Sequence, residues 1–190
     1  MTSRPEKHRP DAEHRAASPS AGSGEGGLGM NAFDTGLGSA SSARSGPYAR
    51  VGVVGAGAWG TALAVIAARA GRAVTLWGRD EAAIAEMIET RENARYLPGI
   101  TLPAEINPTA DLKELARDSD AVLIVTPSET IREITRALAP LLPDGVPVVL
   151  CAKGIEAGSG LLMSGVAAEE LPGRPIGALS GPTFADEAAA

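Results

Sequence analysis

A glycine-rich turn between a short apolar run and a helix-forming stretch constrains the fold of this 190-residue chain more than any other feature. Residues 51–54 are apolar and mostly β-branched, Gly55, Gly57 and Gly60 follow, and residues 61–69 favour a helix. A strand before this glycine spacing and a helix after it form the context in which it binds a dinucleotide. Gly55 would permit the tight turn, Gly57 the approach of a pyrophosphate, and Gly60 close packing of helix and strand. The free amides of the helix N-terminus would face the phosphates.

The rest of the chain repeats the alternation of apolar strand and helix. Asp80 can cap a second helix that runs to about Glu92, and residues 129–138 are amphipathic. Further uninterrupted apolar runs lie at residues 74–77, 121–125, 148–151 and 176–179. Such strands are covered on both faces, as in parallel sheets. We therefore predict an α/β fold with a Rossmann-like, doubly wound, mostly parallel sheet.

Composition excludes several classes of function. The net charge of -6 argues against nucleic acid as the main partner, because phosphate backbones need a basic surface. No uncharged apolar run is long enough to span a membrane. Cys151 is the only cysteine, so an intrachain disulfide is impossible and a reducing, cytoplasmic location fits best. We interpret Cys151 as a small core residue rather than a nucleophile.

Residues 1–46 differ from the remainder in composition. They are rich in Ser, Gly, Ala, Arg and Pro and have no helical or strand periodicity, so we predict a disordered tail. His8 and His14 would be solvated side chains of that tail, and no metal site is expected. Met30 is an alternative start, which the sequence does not decide. Residues 47–190 would form one NAD(P)-binding domain.

The end of the second strand indicates which cofactor fits. An acidic residue there would bind the ribose 2′-hydroxyl of NAD(H), whereas arginine suits the 2′-phosphate of NADP(H). Arg79 occupies this place, with Asp80 behind it. We favour Asp80 as a helix cap and therefore NADP(H), with NAD(H) left open.

Four blocks, in this order, resemble bacterial NAD(P)-dependent glycerol-3-phosphate dehydrogenases. They are residues 55–64, residues 93–103 (NARYLPGITLP), residues 153–156 (KGIE) and residues 179–187 (LSGPTFADE). The resemblance covers residue 51 to the end. It implies reversible reduction of dihydroxyacetone phosphate to sn-glycerol 3-phosphate by NAD(P)H, in glycerophospholipid synthesis, and it leaves open a homodimer for the full-length protein.

The resemblance also implies site residues. The cofactor contacts would be the glycine turn with Ala58 and Trp59, then Arg79, Tyr96, Lys153 and Ala185; the substrate contacts would be Lys153, Gly181 and Thr183. The family commonly has serine where this chain has Ala58, but the backbone amide remains. Lys153 follows a strand at its carboxyl end, where an ammonium group could neutralise phosphate or polarise a carbonyl.

Several positions keep a simpler interpretation open. Trp59 could be core packing, and residues 93–103 an ordered loop with a turn at Pro98-Gly99. Pro127-Ser128 could form a wall of the cleft, or Ser128 could cap the next helix.

The family's catalytic lysine belongs to a helical C-terminal domain that we expect to be absent from this sequence. The chain alone would hold the cofactor side of the reaction and not its proton transfer. Whether it is a fragment or a true truncation stays open. The alternatives are a non-catalytic NAD(P)-binding module and another two-domain dehydrogenase; the blocks at Lys153 and Ser180 argue against the latter.

Overall fold

A computed structural model describes residues 48–181 and 184–190 of the chain. The predicted tail, with His8, His14 and Met30, lies outside the described residues, as does Thr183.

Six parallel strands form the main sheet, in the order β5-β2-β1-β6-β7-β8. Their bounds are β1 Arg50–Val54, β2 Ala73–Trp77, β5 Ile106–Thr109, β6 Ala121–Ile124, β7 Val148–Leu150 and β8 Ile176–Ala178. The predicted parallel, doubly wound α/β sheet is therefore confirmed. Two further strands, β3 (Glu92–Asn93) and β4 (Leu97–Thr101), pair antiparallel in a separate hairpin.

Helices connect the strands and cover the sheet, and a last short helix follows β8. They are α1 Ala58–Arg69, α2 Glu81–Thr90, α3 Leu112–Arg117, α4 Ile131–Leu138, α5 Met163–Glu170 and α6 Ala185–Ala189, with a 3₁₀ turn at Ser128–Thr130 before α4. Asp80 caps α2, since its Oδ1 accepts a hydrogen bond from the Ala83 amide at 3.2 Å. This confirms the interpretation of Asp80 as a helix cap.

The two faces of the sheet bury separate apolar cores. Val53 points into the core beneath α1 and α2, whereas its neighbour Val54 belongs to the core beneath α3, α4 and α5. Both valines are fully buried, and each contributes about 1.5–3 kcal/mol through removal of its side chain from water. Burial on both faces explains why these strands are apolar runs without alternation.

The interpretation of residues 93–103 as a loop with a turn at Pro98-Gly99 is wrong. Both residues lie in strand β4, and the turn of the hairpin is at residues 94–96. The Gly99 amide donates to Glu92 Oε1 at 2.7 Å, so a side chain of β3 holds the strand that the Pro-Gly pair would otherwise interrupt. Helix α2 ends at Thr90 rather than near Glu92, because Arg91 takes the left-handed conformation (φ 55°).

Candidate functional site

A cleft of about 800 Å³ opens at the carboxyl ends of the central strands. Strands β1 and β6 are neighbours in the sheet, and the chain leaves them in opposite directions. Such a point of reversal leaves a crevice in which open α/β sheets bind ligands. The cleft is walled by the glycine turn, by the ends of β2 and β6, by α2 and by the β3–β4 hairpin, including Gly55, Ala56, Gly57, Gly78, Arg79, Asp80, Asn93, Arg95, Tyr96, Val125, Thr126 and Pro127.

The three glycines of the turn meet different surroundings. Gly55 has a φ of +120°, and a Cβ there would lie 2.9 Å from the Val125 carbonyl oxygen. A Cβ at Gly60 would lie 1.8 Å from the Gly55 carbonyl oxygen. A Cβ at Gly57 would meet no described atom within 4 Å, although Gly57 lines the cleft. Gly55 and Gly60 are therefore required by the packing of the turn, whereas Gly57 leaves space on the side of the cleft.

The N-terminus of α1 is available to a ligand. Gly57 is its N-cap and supplies no side-chain cap, and the first bond inside the helix joins the Thr61 amide to the Gly57 carbonyl at 2.9 Å. The first amides of a helix have no partner within it, and the positive end of the helix dipole lies with them. The turn therefore presents donors and positive potential where an anion can approach.

Charged and aromatic side chains form the wall beyond β2. Arg79 is exposed and makes no ion pair within the described part of the chain. Asp80 uses Oδ1 as the helix cap, and its Oδ2 lies 3.8 Å from Arg95 Nη1. The Arg95 guanidinium carbon lies 5.1 Å from the centroid of the Tyr96 ring. Asp80 therefore has one oxygen engaged in the helix cap and the other near a cation, while Arg79 lines the cleft.

Asn93 is a site residue that the sequence did not single out. Its side chain is buried, and Nδ2 donates to the Ala56 carbonyl at 3.0 Å and to Thr61 Oγ1 at 2.7 Å. The last residue of β3 is thereby bonded to the glycine turn. One asparagine shortly after the end of a helix is not a sequence pattern that predicts a buried side chain.

The wall opposite the hairpin follows β6. Of the pair Pro127-Ser128, for which a cleft wall and a helix cap were both open, Pro127 lines the cleft and Ser128 does not. Ser128 begins the 3₁₀ turn and makes no side-chain cap, so the alternative of Ser128 as a helix cap is wrong. The local bond is made instead by Thr130, whose Oγ1 donates to the Pro127 carbonyl at 2.8 Å. The Thr126 hydroxyl is buried in this wall and has no hydrogen-bond partner among the described residues.

Lys153 lies in the loop after β7, at the same edge of the sheet but outside the lining of the cleft. The Lys153 side chain is exposed. The next residue, Gly154, packs closely on Ser128, since a Cβ added at Gly154 would lie 3.3 Å from Ser128 Cβ. Glu156 in this loop pairs with Arg132 of α4 at 2.7 Å. The hydrogen bond from Arg132 lowers the pKa of Glu156 to about 2, and a bond from Ser159 adds to this shift. The ion pair therefore fastens the Lys153 loop to α4.

Arg132 is shared with the next helix as well. It lies 2.9 Å from Glu169 and 2.7 Å from Glu170 of α5, so one guanidinium joins three carboxylates on two elements. The pKa of Arg132 is raised by these hydrogen bonds, with Glu156 the largest contributor.

The remaining predicted site residues lie elsewhere. Ala58, Trp59 and Gly60 belong to α1 behind the turn, and Trp59 packs against the core on that face, as the simpler interpretation held. Ala185 begins α6 and packs against the same core, and Gly181 is exposed after β8. Neither lines the cleft. Burial raises the pKa of the Cys151 thiol to about 11, so the thiol is protonated near neutral pH and is a poor nucleophile.

These features fit an elongated anionic ligand. The cleft is lined by the glycine turn with its open glycine, by Arg79, which has no ion pair among the described residues, and by the exposed ring of Tyr96. Within residues 48–181 and 184–190, no three His, Cys, Asp or Glu side chains are grouped so that they could hold a metal ion. No described helix is long and apolar enough to cross a membrane.

Comparisons with known proteins agree with this geometry. Residues 50–190 match the family model described as the N-terminus of NAD-dependent glycerol-3-phosphate dehydrogenase. Glycerol-3-phosphate dehydrogenase [NAD(P)+] of Azorhizobium caulinodans is 56% identical over 142 residues, which are 75% of this chain and 43% of the relative. The enzyme of the same name from Caulobacter vibrioides is 55% identical over the same shares.

A solved structure shows the same likeness in three dimensions. The crystal structure of glycerol-3-phosphate dehydrogenase from Coxiella burnetii superposes with a TM-score of 0.70 and 36% identity, over 74% of this chain and 43% of that one. The chain thus spans less than half the length of the curated relatives that it matches.

Proposed function

The chain belongs to the NAD-dependent glycerol-3-phosphate dehydrogenases, whose N-terminal domain its residues 50–190 match, and from this membership we propose that it binds NADP(H) in the cleft as the cofactor half of such an enzyme. The reaction would be the reversible reduction of dihydroxyacetone phosphate to sn-glycerol 3-phosphate. The observation that carries the proposal is the glycine turn. Gly57 lines a cleft of about 800 Å³, and a Cβ at this position would meet no described atom within 4 Å.

The turn would hold the pyrophosphate of the cofactor. Because Gly57 has no Cβ, a phosphate can come within hydrogen-bond distance of the backbone. The free amides at the start of α1 would donate to it, and the helix dipole would stabilise its negative charge. When bound, the nicotinamide supplies the hydride, and the protein supplies position and electrostatics.

Arg79 would select NADP(H) over NAD(H). A guanidinium can bind a 2′-phosphate with two parallel charge-assisted hydrogen bonds, and it keeps its charge at any relevant pH. The competing possibility is that Asp80 accepts from the 2′-hydroxyl of NAD(H). Asp80 Oδ1 already accepts from the Ala83 amide and Oδ2 lies 3.8 Å from Arg95, whereas Arg79 lines the cleft without an ion pair in the described part of the chain, which supports Arg79 as the contact of the 2′-phosphate.

Lys153 would lie at the junction of cofactor and substrate. Its loop follows β7 at the ligand-binding edge, and the Glu156–Arg132 pair fixes the loop while Lys153 stays exposed. An ammonium group there can neutralise the substrate phosphate or polarise its carbonyl. By resemblance to the family, Gly181 and Thr183 would contact the substrate, Ala58, Trp59, Tyr96 and Ala185 the cofactor, and a lysine of the relatives' C-terminal domain would carry out proton transfer. The lone cysteine is consistent with a cytoplasmic enzyme.

An assay of NADPH oxidation with dihydroxyacetone phosphate tests this proposal. The 190-residue chain is compared with a chain extended by the C-terminal part of the Azorhizobium caulinodans relative. We expect turnover by the extended chain only, because general acid–base catalysis alone contributes about 10²–10⁴-fold and orientation contributes more. Turnover should be lost in Lys153→Ala and kept in Lys113→Ala, which removes an exposed lysine of α3.

Two results would contradict the proposal. Rapid turnover by the 190-residue chain would show that the C-terminal part of the relatives is not needed for proton transfer. An extended chain that binds neither NADPH nor NADH would remove the cofactor role altogether.

A further inference from the structure

The glycine turn has no side chain of its own that could hold its shape. Glycine has the greatest backbone freedom of any residue, and α1 begins without a side-chain cap. The external support comes from Asn93, whose amide donates both to the Ala56 carbonyl between two of the glycines and to Thr61 in the first turn of α1. Asn93 and Thr61 are both buried, so these bonds form away from competing water.

The same residue begins the segment that forms the other wall. The Tyr96 amide donates to the Asn93 carbonyl at 3.2 Å across the hairpin turn, and Arg95 and Tyr96 line the cleft. One residue therefore contacts the proposed pyrophosphate loop through its side chain and the proposed adenosine wall through its backbone.

The hairpin itself is held by other bonds. Glu92 accepts from the Gly99 amide at 2.7 Å, and Arg91 donates to the carbonyls of Leu102 and Ile106 at 3.4 and 3.0 Å. These bonds join the hairpin to itself and to the segment that leads into β5. Loss of the Asn93 amide would therefore remove the polar link between the hairpin and the turn, while these bonds and the burial of Leu97 keep the hairpin in place.

We propose that Asn93 is a positioning residue for the dinucleotide, which holds the glycine turn against the hairpin that carries Arg95 and Tyr96. The proposal rests on the proposed function, since it names the residue that prepares that site. A ligand that spans both walls benefits because the protein does not have to order the turn during binding. A ligand that touches one wall gains little from the link.

Isosteric substitution separates positioning from packing. Asn93→Asp preserves the volume of the side chain, but a carboxylate only accepts hydrogen bonds and would face the Ala56 carbonyl. Glu92→Gln is the matched control, because it alters a neighbouring bond inside the hairpin and leaves the link to the turn intact.

The experiment measures two dissociation constants for each variant by calorimetry, with NADPH and with adenosine 2′-monophosphate, which lacks the pyrophosphate. Asn93→Asp should raise the dissociation constant of NADPH at least tenfold and that of the monophosphate less than threefold. Glu92→Gln should change both less than twofold. If Asn93→Asp does not fold, Thr61→Val, which removes one of the two acceptors, should still weaken NADPH more than the monophosphate.

Equal losses for the two ligands would overturn the proposal, because Asn93 would then support only the adenosine wall. Unchanged affinity of Asn93→Asp for NADPH would overturn it as well. If only Thr61→Val folds, unchanged affinity of that variant for NADPH would have the same consequence. If the unmodified chain bound neither ligand, the proposed function would fail, and this result is distinct from either of the others.

Discussion

Alanine substitutions at Gly57 and Gly60 should separate binding from folding. The two residues are three positions apart, yet a Cβ at Gly60 would lie 1.8 Å from the Gly55 carbonyl oxygen, whereas one at Gly57 would meet nothing described within 4 Å. Gly57 has φ -81° and ψ -176°, an extended conformation that alanine adopts without strain. The same chemical change therefore encounters backbone in one case and the cleft in the other.

The expected magnitudes follow from these contacts. Gly60→Ala forces the turn and α1 apart, and overpacking of this kind costs about 1–3 kcal/mol or more. In a chain of this size each kcal/mol lowers the melting temperature by about 2–4 °C. At Gly57, alanine is the poorer N-cap by roughly 0.5–1 kcal/mol, but it also lowers the entropy of the unfolded chain by about as much, so stability should hardly change.

Gly57→Ala should instead weaken the binding of NADPH while stability hardly changes. The added methyl group would occupy the space where the pyrophosphate approaches the amides, and a hydrogen bond to a charged group contributes about 1.5–3 kcal/mol. Affinity for NADPH should therefore fall about ten- to a hundredfold. Thermal unfolding and calorimetric titration of both variants measure the two quantities. Parental NADPH affinity in Gly57→Ala would show that the pyrophosphate does not approach Gly57, and parental stability in Gly60→Ala would show that the turn tolerates a side chain there.

Three further predictions concern other parts of the chain. Arg79→Glu should weaken NADPH by a few kcal/mol through loss of a charge-assisted bond and added repulsion, while NADH changes little; unchanged NADPH titrations would exclude Arg79 as the selective residue. Arg132 lowers the pKa of Glu156 to about 2 from 4.5, so this pair stabilises the fold fully above pH 4.5 and loses its contribution as the pH falls toward 2. The melting temperature of Glu156→Gln should therefore lie below that of the parent by a constant amount from pH 7 to 5, and the gap should close toward pH 2; a gap that is constant throughout would contradict the assignment. A chain shortened to begin at Tyr48 should keep the parental melting temperature and NADPH affinity, because the composition of residues 1–46 cannot support packing, and a drop in either would show that the tail contributes.

The central strands and the glycine turn could be predicted from the sequence because their burial is uniform. Strands such as β1 and β6 are covered on both faces, so each is a continuous apolar run, and polar segments separate one run from the next. Strand β5 was missed for the converse reason. It lies at the edge of the sheet, where Asn107 and Pro108 are tolerated. Proline has no backbone N–H to donate, but on the open side of an edge strand no partner strand needs that hydrogen bond.

The site was predicted only in part because its remaining contacts are long-range. Gly57 and Arg79 belong to a local pattern, since the turn and the end of β2 lie within one βαβ unit. Asn93 contacts Thr61 across 32 residues of sequence, and nothing local distinguishes its amide from one in a solvated loop. The sequence placed the turn at Pro98-Gly99, because proline and glycine are strong turn formers. In the structure the Gly99 amide donates to the Glu92 side chain, which keeps this pair in β4, and the turn lies at residues 94–96.

A map of backbone amide shifts on addition of NADPH to the ¹⁵N-labelled chain tests whether the cleft at the β1–β6 junction holds the dinucleotide, with its pyrophosphate at the glycine turn. The largest shifts should then occur at Gly57 and Ala58 and at Arg79 and Tyr96, saturating together, with residues of α3 such as Lys113 unaffected. Shifts absent from the glycine turn, or concentrated on α3, would show that the dinucleotide does not bind in this cleft.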